Sequence, residues 1–395
     1  MSILQSAAVP APPLRRIHWG ALAVAVVAAA AIFTVIAGEG RRPVLFAIGL
    51  ALGFSLYHSS FSFTGAYRRV FTDRDMTGVA AQLLMLALAM LLFAPILAQG
   101  QAFGRGVGGA LAPVSVSVGI GAFLFGMGMQ IAGACASGTL FTVGGRSPRM
   151  VIVLIFFSLG TFWGSLDLAW WGQLPGLGVV SLGDRLGWEI ALPLQLGLLG
   201  GIYLLLRAFG CRVRLSLWSR DEKGAWRYLF GIWPLLAGAV ALALLNWATL
   251  LTAGHPWSIT WAFTLWGARM ARFAGWDPAS SGFWSGGFQE AALNGSLLAD
   301  TTSLMSIGII IGALFASALA GRRGSRLTLR PAPVLSAIIG GLMMGYGARL
   351  AYGCNIGAFF SGVASGSLHG WLWIAAAFPG AYVGLRLRRL LRLGD

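Results

Sequence analysis

Acidic residues are scarce in this chain, with 12 Asp and Glu against 28 Lys and Arg in 395 residues, and charge of either sign makes up only 10%. A soluble globular domain carries about 25% charged residues, so that class is excluded. Cysteine is equally sparse. Three residues, with no CxxC pair and no Cys/His metal spacing, support neither a disulfide framework, nor structural zinc, nor thioredoxin-like chemistry. No phosphate-binding P-loop occurs either, so direct use of ATP has no support. What is abundant is apolar: 57% hydrophobic residues and a mean hydropathy of +0.78 define a polytopic membrane protein.

The net charge of +16 does not point to nucleic acid, because the arginines fall in short clusters between apolar runs rather than on one face or tail. Positive-inside anchoring explains them. It places on the cytoplasmic side the loop with Arg207, Arg212, Arg214, Arg220, Lys223 and Arg227, the loop with Arg322, Arg323, Arg326 and Arg330, and the tail with Arg386, Arg388, Arg389 and Arg392. Residues 1–18 read as a disordered N-terminal tail, and 19–395 as a single transmembrane domain of about 9–11 spans. The expected spans include 226–246, 256–273 and 333–352, with 274–302 doubling back as a hairpin or amphipathic segment. Glycine, at 57 residues, is about twice its usual share and permits close helix packing and broken helices in the bilayer.

One motif occurs twice, as FGMGMQIAGACASGTLF around Cys135 and MGYGARLAYGCNIGAFF around Cys354. At a constant separation of 219 residues (354 − 135), Gly126 matches Gly345, Gly128 matches Gly347, Gly138 matches Gly357 and Phe141 matches Phe360. The charge pattern orients the two copies oppositely, so the fold class expected is all-α with short re-entrant helices in an inverted pseudo-repeat, roughly 43–208 and 226–395. A lone buried Cys is usually a small hydrophobe. Two at equivalent positions, each followed by small polar residues (Ser137 and Gly138, Asn355 and Gly357), point instead to a substrate path where helix-start amides hold an anion.

These motifs, with PWSITWAFTLWGARM and GFSLYHSSFSFTGAYRR, resemble the YeeE/YedE family of thiosulfate uptake membrane proteins over about Gly53 to Leu385. The resemblance implies a bacterial inner-membrane importer in which cysteines pass thiosulfate along by S–H···S contacts without being oxidised, at positions matching Cys135 and Cys354. It also implies a cytosolic sulfur-carrier partner, no cofactor and no enzymatic activity. The chain departs from the family at Ser62, in Phe61-Ser62-Phe63, where a third cysteine is common. Serine there is either a harder, less polarizable station on the path or neutral drift at a packing position.

Four further residues invite two readings each. Arg349 and Arg269, ionisable within expected spans, either attract the anion or pair structurally, Arg349 with a helix end or with Glu290 or Asp300. His58 lines an access route or sits at an interface; Cys211, between charged residues, is structural or a low-pKa thiol. The rival to transport is a membrane thiol oxidoreductase or sulfur-transfer enzyme that makes a disulfide or persulfide of Cys135 and Cys354.

Overall fold

The computed structural model describes residues 17–214, 227–322, 324–325 and 330–390. Arg220, Lys223, Arg323, Arg326, Arg392 and nearly all of the expected N-terminal tail lie outside these. The helices that build the fold are α1 (Trp19–Ile36), α2 (Arg42–Ser59), α3 (Phe63–Asp73), α4 (Thr77–Gln99), α5 (Val116–Ala132), α6 (Ala136–Gly144) and α7 (Pro148–Leu166). After these come α8 (Trp188–Ala208), α9 (Leu235–Ala253), α10 (Thr260–Phe273), α11 (Gly287–Asn294), α12 (Thr301–Leu319) and α13 (Pro331–Leu350). A π-helix (Asn355–Ser361) with a short α-helical continuation (Gly362–Ala364) and α14 (Leu368–Leu390) complete the chain. Among the described residues, nine helical segments are long and apolar enough to cross a bilayer. The protein is an all-α polytopic membrane protein; among the described residues its strands form two short antiparallel pairs, 101–106 and 113–115 with 176–179.

Helix packing repeats itself. α5 packs on α14 as α13 packs on α7, α2 on α12 as α9 on α4, and α3 on α14 as α10 on α7. The outer helices follow the same rule, with α1 against α12 and α8 against α4, while α5 meets α13 and α2 meets α9 directly. The matched glycines do matched work. A side chain at Gly126 would strike the Ala377 carbonyl of α14, and one at Gly345 the Phe157 carbonyl of α7. One at Gly128 would meet the α13 backbone at 2.8 Å, and one at Gly347 the α5 backbone. These positions let helix backbones touch, the small-residue packing that holds helices together where lipid supplies no hydrophobic drive.

Two expectations need correction. The span expected at 226–246 is α9, at 235–253, because Pro234 has no amide to continue a helix and stands at its N-cap. The span expected at 256–273 is only the 14-residue α10, about 21 Å long and too short for about 30 Å of hydrocarbon. α10 follows α9 after a short break, as α3 follows α2. The segment 274–302 packs at the end of α7, with Trp284 donating to the Ser165 hydroxyl at 2.9 Å.

Candidate functional site

Each cysteine of the duplicated motif stands at a helix break and starts the next helix. α5 ends where Gly133 turns left-handed (φ 83°), and Cys135 is the extended N-cap of α6 (φ −94°, ψ −174°). α13 ends in a turn through Tyr352 (φ 55°), and Cys354 is the extended N-cap of the π-helix (φ −102°, ψ −166°). The Cys135 carbonyl accepts from the Thr139 amide at 2.8 Å and the Cys354 carbonyl from the Ala358 amide at 3.0 Å. The first amides of each helix have no carbonyl partner behind them. At Cys354 the amides of Ile356 and Gly357 do approach the sulfur.

The two thiols are buried near one another. Cys135, Cys354 and Asn355 are each 0% exposed. Cys135 lies within electrostatic reach of both Cys354 and the Tyr67 hydroxyl, and α6 touches the π-helix. Ser137 Oγ stands 3.5 Å from Cys135 Sγ. Glycine leaves room beside them: a Cβ at Gly138 would lie 3.4 Å from Cys135 Sγ, and one at Gly357 would lie 3.0 Å from Ser258 Oγ.

Around them lie polar groups that the protein does not satisfy. Both amide atoms of Asn355, the Tyr67 hydroxyl and the hydroxyls of Thr64 and Thr260 are buried without a hydrogen-bond partner. Tyr67 lies beside the Asn355 side chain, and Thr260 beside the Cys354 thiol. Each such group costs about 1–3 kcal/mol if left unmade. Native proteins leave few of them, and a ligand-binding space is one place where they are kept.

Other candidates fall elsewhere. Ser62 is the N-cap of α3, its oxygen accepting from the Gly65 amide at 3.1 Å. Arg349 pairs with neither Glu290 nor Asp300; its guanidinium lies over the Phe283 ring, 4.5 Å from the centroid, at the α7 end of the molecule. Glu290 is exposed, and the Asp300 carboxylate caps α12 and accepts from Trp261. Arg269 donates to the carbonyls of Ala292 and Gly295, which closes the end of α11. His58 is buried, with Nδ1 2.7 Å from the Gly231 carbonyl and its ring stacked on Trp233. Cys211 is buried in the apolar core. Near Cys135, Arg388 donates to the Gln130 and Ile131 carbonyls at the end of α5, and Arg149 also approaches Gly133.

The structure adds residues that the sequence reading passed over. Thr64, Tyr67, Ser258 and Thr260 belong to a second duplication, S-F-T-G-A-Y at 62–67 and S-I-T-W-A-F at 258–263 (258 − 62 = 196). The signal was present in the two motifs already singled out, but only the shared breaks before α3 and α10 show that the two stretches correspond. Asn246 is a further addition. It accepts from the Trp257 amide at 2.8 Å and donates to the Ser361 hydroxyl at 3.1 Å, which ties the α9–α10 break to the end of the π-helix.

Helices interrupted at membrane depth around a buried polar space define the class: a multi-pass membrane transporter for a small solute. The chain belongs to the sulphur transport family, whose model matches residues 58–383. It is 29% identical over 352 residues to the thiosulfate transporter TsuA of Spirochaeta thermophila, covering 82% of this chain and 92% of that protein. It is also 32% identical over 168 residues to Probable transporter YedE of Escherichia coli, a match that spans 42% of this chain and 40% of that relative's length.

Proposed function

We propose that this protein is a bacterial inner-membrane importer that passes thiosulfate, or a closely related sulfur-containing anion, between Cys354 and Cys135. The observation that carries this reading is two buried thiols near one another, each at the start of a helix, with buried hydrogen-bonding groups that lack partners beside them. Similarity along most of the chain to a protein named as a thiosulfate transporter supports the choice of anion. With the arginine clusters facing the cytoplasm, Cys354 ends an outward-running span and meets the anion first, and Cys135 ends an inward-running one and meets it second.

The chemistry suits transport. A thiol is a weak donor with a polarizable sulfur, so it solvates the soft end of the anion without holding it. Conduction needs contacts favourable enough to admit the ion and weak enough to release it. Helix-start amides add partial positive charge at both stations. The repeated packing supports an inverted repeat whose units run from α1 to α7 and from α8 to α14. A cytosolic sulfur carrier docking at the basic face would draw the flux inward.

Uptake of radiolabelled thiosulfate by cells that lack other sulfur importers tests this directly. Expression of the intact protein should raise uptake well above the empty control, and the purified protein should keep its unmodified mass after turnover. No rise in uptake contradicts transport; a persulfide or disulfide adduct on the cysteines contradicts a relay without oxidation.

A further inference from the structure

We propose that Tyr67 and Asn355 read the oxygen end of the transported anion, so that the protein selects anions carrying both a soft terminal sulfur and sulfur-bound oxygens over anions that offer sulfur alone. The inference rests on the transport reading above and deepens it: the thiols would meet the sulfur end, and this pair the oxygens.

Asn355 directly follows Cys354 and opens the π-helix; Tyr67 comes from α3 in the other half of the molecule. Both are at most 2% exposed, and neither the Tyr67 hydroxyl nor either amide atom of Asn355 has a hydrogen-bond partner. Buried amides and phenols are otherwise almost always paired. Tyr67 lies beside Asn355 and within electrostatic reach of Cys135, which in turn lies within reach of Cys354, so the two donors and the two thiols are neighbours. A phenol O–H and an amide N–H₂ are neutral donors. They can coordinate an oxyanion without the tight hold of a guanidinium.

The pair is not duplicated, and that makes it informative. At the matching repeat positions stand Phe263, with no hydroxyl, and Ala136, with no amide. Thiols and threonine hydroxyls therefore occur twice, whereas the phenol and the amide occur once and come from different halves. An anion with distinct sulfur and oxygen ends would be oriented at that pair, whereas hydrosulfide would leave both donors unpaired. A site that loses buried hydrogen bonds with the wrong ligand discriminates strongly against it.

The test is thiosulfate uptake into proteoliposomes by the intact protein, Tyr67→Phe and Asn355→Leu, with excess hydrosulfide as competitor at mildly alkaline pH. Thermal melting confirms that each variant is folded, and Tyr67→Phe keeps the ring that packs against Phe63 and Phe378. Each variant should raise the KM for thiosulfate about tenfold, as expected for one hydrogen bond to a charged group, while inhibition by hydrosulfide stays unchanged. Folded variants with an unchanged KM, or with thiosulfate and hydrosulfide weakened equally, would overturn the proposal. Cys135→Ala and Cys354→Ala run in parallel: normal uptake by both contradicts the relay itself and is a separate outcome.

Discussion

Ser62 shows how one residue can hold a position for a reason the sequence does not display. Its hydroxyl caps α3 at Gly65, and a side-chain oxygen at an N-cap contributes about 1 kcal/mol. Ser62→Ala should lower stability by about that amount, and Ser62→Cys should move in the same direction because sulfur accepts poorly; a melting curve unchanged in both contradicts the capping role. Asp75 gives a second residue-scale prediction, outside the spans. Burial raises its pKa, but the Thr77 hydroxyl and amide, then Arg69, outweigh burial and hold the carboxyl below the ordinary carboxylate range. A depressed pKa contributes stability that is present above the unfolded value and lost as pH falls through the folded one. Melting temperature should therefore fall on acidification below the usual carboxylate range, and Asp75→Asn should flatten that part of the profile. The two thiols were legible from their duplication alone. Tyr67 was not, because a tyrosine in an apolar run reads as packing until Asn355 is seen beside it.

At the scale of elements, the interruptions decide the architecture. Cys135 and Cys354 start new helices because glycine or a left-handed turn ends the preceding one, and the small residues after them allow a close approach. The short helices after Cys135 and Cys354 were readable from those glycines. The α9–α10 break was not, since HPWSIT lies between two apolar runs and looks like an ordinary loop between spans. What sets it is Asn246, which holds the Trp257 amide, together with Ser361, which donates to the Trp257 carbonyl at 2.7 Å. Asn246→Leu removes both bonds of a buried amide and should cost about 1–3 kcal/mol for each group left unpaired. Destabilisation with sharply reduced uptake is expected, and a stable, fully active variant would show that the tie does not position the π-helix.

Across the whole molecule, the contact pattern survives exchange of its two halves, yet the side chains at the centre do not. Periodicity and charge carry the first property, because lipid-length helices and basic loops follow from composition. They do not carry the second, since convergence of α3, α6, α10 and the π-helix is a matter of tertiary packing. Orientation is testable by impermeant labelling of single cysteines introduced at exposed Phe103, expected to react from outside, and at exposed Ser325, expected to react only after the membrane is opened. Reaction of both from one side contradicts the orientation assigned to the path. The central claim is that the two halves join into one route through two thiols. Flux of radiolabelled thiosulfate into proteoliposomes, compared for the intact protein, Cys135→Ala, Cys354→Ala and the double variant, tests it most directly. Loss of most flux in either single variant, with little further loss in the double, is the result predicted; normal flux in both single variants would contradict it.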